Sequence, residues 1–356
     1  KAELHTVAML GKWYVKQKRM DDFFVLAQRF VKKYPADRQA HLLLAGAQEL
    51  NGEVAQAKKT LRNIINDNPK EAQARLLLAR LLGKQPGKQS DTIKLLDELQ
   101  VMHPEEIQYV VIKARYLVSQ KLYSQALKTA DKAKQRFPRS ALGYQLEGDV
   151  FRLQKQLDKA LVAYKKAYQV QGSHKLVRLI IMMMVAQQRQ GEAVNWLKAL
   201  LKVNSDDLVA HQQLGVLYSE LNDQAQAIKH YQKVLEKVPN DVITLNNLAW
   251  IYSQQNNPEA LGLAALAYQK APQSAQIADT YGYILIHNGE AQAGLPILEK
   301  ALAIAPQLID IQLHVAEAYL LVGSKAKGIS MLEKIVNSSK DRNFIEKANL
   351  LLNQYK

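Results

Sequence analysis

Apolar residues along the chain recur three and four apart, the spacing that puts them on one face of a helix. Each apolar stretch is short and closed by a turn signal or a proline. Pro35, Pro69, Pro104 and Pro138 are separated by 34, 35 and 34 residues, and Pro239, Pro272 and Pro306 by 33 and 34. Gly172 and Ser205 stand where the intervening prolines would fall. A period near 34 over the whole chain predicts an array of helical repeats. No stretch alternates apolar and polar residues with the period of two that a half-buried strand requires.

The interior of each period repeats as well. Twenty-four residues before the proline lies a small residue, as in Leu10-Gly11, Leu44-Ala45, Leu214-Gly215 and Tyr281-Gly282, and Gly148 shares the place. Twelve residues before it lies Ala57, Ala126, Ala227, Ala260 or Gly294, with Ala160 twelve before Gly172. Small residues on two facing helices let the pair cross closely. Between them sits Asn51-Gly52, Gln190-Gly191, Asn222-Asp223, Asn288-Gly289 or Val322-Gly323, each a turn signal. The proline closes the second helix, because it has no N–H and clashes with a helical predecessor.

Helix, turn, helix, proline at this period resembles the tetratricopeptide repeat. The clearest unit is 208–241, with Leu214, Gly215, Tyr218, Ala227, Tyr231 and Pro239 in register. Ten units are expected, beginning near Leu4, Arg38, Ala72, Ile107, Ala141, Lys175, Leu208, Val242, Ala275 and Ile309. The third carries the insertion Lys84-Gln85-Pro86-Gly87-Lys88, and the sixth has no clear small residue in its first helix. Residues 341–356 form one more amphipathic stretch, expected to cover the last apolar face. The resemblance implies an all-α, right-handed superhelical solenoid over residues 1–340, read as one array, with a capping helix at 341–356. No polar cap precedes Leu4, which leads us to expect native sequence upstream.

Charge divides this array. Lys and Arg total 48 against 33 Asp and Glu, a net +15. Residues 1–178 hold 33 Lys/Arg against 17 Asp/Glu, and residues 179–356 hold 15 against 16. The expectation is a strongly basic half, 1–174, and a near-neutral half, 175–340. An excess of this size asks for an acidic partner. Nucleic acid is disfavoured, because Lys and Arg are barely interleaved with aromatics and no nucleic-acid motif is present.

The chemistry of catalysis is not legible. With no cysteine, there is no disulfide, thiolate metal site or cysteine nucleophile to consider. No two of the eight histidines lie three or four apart, so no metal site is expected. Asp21-Asp22 and Asp206-Asp207 sit where acids complement helix starts. The expectation is no catalytic residue, no metal, no cofactor and no enzymatic activity. The most apolar run, Leu179 to Ala186, falls far short of the roughly 20 residues that span a bilayer.

The resemblance implies that positions 2, 5, 6, 9 and 12 of each first helix face a groove that binds a protein or peptide segment. Here those positions give His5, Lys12, Gln73, Arg80, Gln108, Arg115, Gln145 and Arg152 in the first half. In the second they give Gln212, Asn246, Asn247, Trp250, Gln276, Asp279, Thr280, Tyr283, His314 and Glu317. Arginine repeated along a groove suits carboxylate or phosphate, which its fork binds bidentately. Amides and rings suit peptide backbone or sugar. Trp250 and Tyr283 serve equally as groove wall or core and as ligand-stacking residues. The family's Lys-Asn-Asn-Lys-Arg clamp for acidic chaperone tails is not reproduced.

The stretches Leu245–Tyr252, Ala278–Leu285 and Gly294–Pro306 look like the C-terminal repeats of exported bacterial proteins linked to exopolysaccharide synthesis and PEP-CTERM/exosortase sorting. That likeness implies a periplasmic scaffold, anchored at the outer membrane by a lipid upstream of Lys1; a cytoplasmic scaffold is the alternative. Two other readings stand beside it. One is direct binding of an acidic polysaccharide along the basic half. The other is a regulatory region of a larger enzyme, such as a glycosyltransferase.

Overall fold

A computed structural model describes residues 2–355, with side chains from residue 5 onward. The described residues form 21 α-helices and no strand. They divide into two compact units, Lys1–Leu176 and Val177–Lys356.

In the first unit, the helices run α1 (Ala2–Lys16), α2 (Met20–Lys33), α3 (Arg38–Leu50), α4 (Val54–Asp67) and α5 (Ala72–Gly83). They continue through α6 (Gln89–Met102), α7 (Ile107–Ser119), α8 (Tyr123–Arg136), α9 (Leu142–Leu153) and α10 (Leu157–Val170). Helix α11 (His174–Val185) carries the division between the units. The second unit continues with α12 (Gln190–Val203), α13 (Leu208–Glu220), α14 (Gln224–Lys237), α15 (Val242–Gln254) and α16 (Glu259–Lys270). It ends with α17 (Ala275–His287), α18 (Ala291–Ile304), α19 (Ile309–Leu321), α20 (Lys325–Ser338) and α21 (Arg342–Tyr355). The first helix of each repeat starts within about two residues of the place read from the periodicity, a margin no wider than the ordinary fraying of helix ends.

Local chemistry explains the boundaries. Two residues past the period mark, Asp37, Glu71, Asp207 and Asp241 accept hydrogen bonds from backbone N–H groups of the following first turn, at 2.7–3.3 Å. Each satisfies a donor the helix start leaves open. Asp207, half of the Asp206-Asp207 pair, is therefore a cap. Inside the repeats, the first helix usually ends on a left-handed residue: Lys18, Gly52, Lys121, Lys155, Gln188, Asn222, Asn256, Gly289 and Gly323 all have positive φ. Glycine adopts this conformation freely, whereas lysine and glutamine are strained by it.

Packing is local, as in a solenoid. One core cluster joins Leu42, Ala45, Ala57, Leu61 and Ile64 to Leu78 and Leu81 of the next repeat. Another joins α17 and α18 to Ile311 and Val315 of α19. Small and large residues interlock within a pair. A methyl added at Gly215 would collide with the Tyr231 ring, and one at Gly148 with the Tyr164 ring. Where the small residue is Ala45, the facing place holds Leu61 instead. The sixth repeat carries buried Ile181 at the small position and buried Leu197 opposite.

In the second unit, the first helices α13, α15, α17 and α19 each touch the next first helix, and α19 touches α21. Among the described residues, no two of the second helices come into comparable contact. The more closely spaced layer is the inner face of the stack. Helices α1 and α3, and α7 and α9, meet in the same way in the first unit.

Candidate functional site

Each unit carries a pocket on its inner face, and the two differ in chemistry. The second unit's pocket has a volume of about 640 Å³. Its walls come from α15 (Trp250, Gln254), α17 (Gln276, Asp279, Thr280, Tyr283), α19 (Asp310, Leu313, His314, Glu317) and α21 (Lys347, Leu350, Leu351). Three successive first helices and the terminal helix thus close around one volume. Trp250, Tyr283 and Glu317 are the ninth residues of their repeats, so the period itself aligns them.

The aromatic side of the pocket is one connected cluster. Ring centroids lie 5.0 Å apart for Trp250 and Tyr283, 4.4 Å for Tyr283 and His314, and 6.1 Å for Trp250 and His314. The His287 ring centroid lies 4.2 Å from that of Tyr283. Such tilted arrangements suit ring quadrupoles. The polar side is acidic. His314 donates through Nδ1 to Asp279 Oδ1 at 2.8 Å, which fixes that ring's orientation. Glu317 Oε1 lies 3.5 Å from His287 Nε2. Burial, and then the charges of Glu317 and Asp279, push the Tyr283 hydroxyl above the usual phenol range, so it stays a protonated donor.

Other residues expected at the groove are committed elsewhere. Gln212 is buried and donates to Asp241 Oδ1 at 3.0 Å and Thr244 Oγ1 at 3.3 Å. Asn247 donates to the Tyr231 hydroxyl at 3.2 Å. Both tie neighbouring repeats together. Asn246 is half-buried, and its Oδ1 is buried without a donor.

The first unit's pocket, of about 660 Å³, is lined by His5, Ala8, Phe23, Gln39, Leu42, Leu43, Gly46, Glu49, Leu50, Gln73, Arg80 and Lys84. Its cations face inward but are answered within the protein. Arg80 pairs with Glu49 Oε2, and Lys84 Nζ lies 3.0 Å from Glu49 Oε1. Burial alone would raise the Glu49 carboxyl, but Lys84 and Arg80 together hold it below the usual carboxylate range. Arg115, the ninth residue of the next repeat, is exposed and makes no ion pair among the described residues. Arg152 is half-buried, with its Nε buried and without an acceptor. Nearby, the Tyr164 hydroxyl donates to Asp149 at 2.7 Å. Lys12 is exposed on α1 and Gln145 half-buried on α9. Of Lys12, Arg80, Arg115, Gln145 and Arg152, only Arg80 lines the first unit's pocket.

Sequence reasoning missed six residues of the second unit's pocket wall, Leu313 among them. Asp310 occupies the second position of its repeat, and Gln254 the thirteenth of its own. Lys347, Leu350 and Leu351 share one face of α21, spaced three and four apart, a signal hidden by reading that helix as a cap alone. A buried histidine pair was also missed, because its members are 19 residues apart and meet only through the α13–α14 hairpin. His211 Nδ1 and His230 Nδ1 lie 2.8 Å apart, and His211 Nε2 lies 3.0 Å from the Ser205 carbonyl. A carbonyl only accepts, so neutral His211 carries its proton on Nε2 and accepts at Nδ1 from His230. Burial, then His211, Lys229 and Lys198, push His230 down to about 4. No group of three or more His, Cys, Asp or Glu able to hold a metal is present among the described residues. No helix there is long and apolar enough to cross a membrane.

Tetratricopeptide-repeat family models match residues 9–81, 210–241 and 230–261. No curated protein matches the chain. Solved structures that share its fold include the following two. The APC/C hetero-tetramer Cut9–Hcn1 is 17% identical over 82% of this chain, with a TM-score of 0.50. The chain spans only 58% of that relative's length. A tetratricopeptide repeat protein from Parabacteroides merdae ATCC 43184 is 17% identical over 69% of this chain and 98% of its own, with a TM-score of 0.52.

Proposed function

The chain carries tetratricopeptide repeats in a tetratricopeptide-like fold, and on that premise we propose that it is a non-catalytic scaffold holding a segment of a partner protein on the inner face of its second unit. One observation carries this reading. Three consecutive repeats and the terminal helix put Trp250, Tyr283, Asp279 and Glu317 around a single pocket. Rigid aromatic anchors in a pocket rimmed by polar groups are the usual centre of a protein interface.

The likeness of Leu245–Tyr252 and Ala278–Leu285 to exported repeat proteins supports a finer reading, in which the scaffold organises exopolysaccharide assembly, export or protein sorting in the periplasm. Affinity capture from envelope extracts tests both levels. The wild-type chain should retain components of such machinery, and the Trp250→Ala/Tyr283→Ala chain should lose them. Equal capture by both would place recognition elsewhere, and a purely cytoplasmic set of captured proteins would remove the envelope role.

The charge of the first unit favours a second reading, an acidic polysaccharide lying along it. The first unit holds 32 Lys/Arg against 17 Asp/Glu, and the second 16 against 16. The whole net charge therefore resides in the first. Polyanion affinity should fall steeply between low and moderate salt, as counterions are released. A flat response would remove this second reading and leave the pocket untouched.

A further inference from the structure

We propose that the second unit's pocket recognises a cationic side chain, an arginine or lysine presented by the bound partner segment. The inference rests on the scaffold reading and specifies what that pocket takes. Asp279, Asp310 and Glu317 line the pocket against a single ammonium, Lys347. Histidine aside, the formal charge of the wall is negative, although the unit as a whole is neutral. His314 gives Asp279 a hydrogen bond, but an anionic or plain apolar ligand would add no charge to balance the wall as water is displaced. A cation would answer them.

The aromatic wall points the same way. Elsewhere the protein places its own cations over several of its rings. Arg19 sits over Trp13 and Tyr14, Lys134 over Tyr144, Lys198 over Tyr218 and Lys300 over Tyr268, with centroid distances of 5.1–5.8 Å. Among the described residues, no lysine or arginine of the chain takes such a position over Trp250 or Tyr283. The pocket thus sets two rings that carry no cation of the chain beside carboxylates, the combination that attracts a guanidinium or ammonium. Leu350 on α21, 69% exposed, and Leu351 leave an apolar rim for the side-chain stem. The Tyr283 hydroxyl, held protonated, cannot add a further negative charge near neutral pH.

The test uses the full chain labelled with 5-fluorotryptophan, whose Trp250 signal is identified by its loss in Trp250→Phe. Three probes are titrated by fluorine NMR: Nα-acetyl-arginine methylamide, Nα-acetyl-lysine methylamide and the uncharged Nα-acetyl-norleucine methylamide. The arginine or lysine probe, or both, should shift the Trp250 signal saturably, with the norleucine probe at least about tenfold weaker. The two cationic arms distinguish guanidinium from ammonium. Asp310→Asn with Glu317→Gln should cost the cationic probes about tenfold and leave the norleucine response unchanged. Equal response to norleucine, no response to either cation, or full affinity in the double variant would each overturn the proposal. So would a Trp250 shift that grows with protein concentration alone, since it assigns the pocket to a second copy of the chain. If the probes fail while Trp250→Ala/Tyr283→Ala still abolishes partner capture, the cation reading falls and the scaffold stands. If the cationic probes bind while capture survives those substitutions, the reverse holds.

Discussion

The ninth residue of the repeat differs in chemistry between the two units. In the first unit that place holds Lys12, Arg80 and Arg115, with Gly46 and Asp149 in the other two repeats; in the second, Met183 and Val216 are followed by Trp250, Tyr283 and Glu317. The scaffold position is equivalent, so the difference is one of side chains alone. In the first unit, the cation at the pocket is answered by a carboxylate one repeat earlier, Arg80 by Glu49. In the second, rings and acids gather with no cation over the rings. Charge on an inner face therefore does not by itself make a binding site. What matters is whether the protein has already satisfied the groups it turns inward.

The largest expected effect separates the two ninth-position series. Trp250→Ala with Tyr283→Ala should weaken a captured partner by about thirtyfold or more, as paired interface anchors do. Arg115→Glu, at an exposed and unpaired site, should change affinity by less than about threefold, in line with the modest weight of exposed charges. Isothermal titration calorimetry on both variants gives the ratio, and a reversed order would break the contrast between the units. Reversing Arg80 or Arg152 is a poorer probe, because Arg80 would lose Glu49 and Arg152 is half-buried.

A smaller effect is expected from packing. Gly215→Ala forces a methyl into the Tyr231 ring and should cost about 1–3 kcal/mol by chemical denaturation, the range for overpacking. Tyr231→Leu recreates the Ala45–Leu61 combination of the second repeat but also removes the bond from Asn247. Gly215→Ala should therefore cost less in the Tyr231→Leu background than in the wild type, and an equal cost would mean that the ring is not the obstacle.

Next comes acid sensitivity. His230 is held down at about 4, against its ordinary 6.5. The unfolded chain therefore takes up a proton that the folded chain refuses as pH falls from 6.5 to 4, and stability declines over that window. Its contribution is fully present above pH 6.5. His230→Phe should flatten the fall in melting temperature between those limits, and an unchanged slope would show that another group sets it. The smallest effect is at a strained turn. Lys121→Gly should raise stability by up to about 1 kcal/mol, because left-handed backbone costs lysine more than glycine. A destabilised variant would show that the lysine side chain does more there than occupy a turn.

Fold and site differed in how far the sequence exposed them. Repeat boundaries were legible because each rests on a local signal, a proline, a small residue at a helix crossing or an acid two residues on. The groove rule brought Trp250, Asp279 and Tyr283 to one pocket, since a fixed period places equivalent positions side by side. It could not show that Gln212 bends toward Asp241, that Asn247 reaches Tyr231, or that Glu49 answers Arg80. Those outcomes depend on which long side chains find partners across repeats, and no single-position pattern encodes them. The terminal helix was legible as a cover for the last repeat, but its share of the pocket wall emerged only once it was packed against α19.

Hydrogen–deuterium exchange of the full chain, with and without a captured partner, tests the central claim most directly. Recognition at the second unit predicts new protection in α15, α17, α19 and α21, with α1–α10 unchanged. Protection confined to α1–α10 would contradict it and return the binding function to the basic unit.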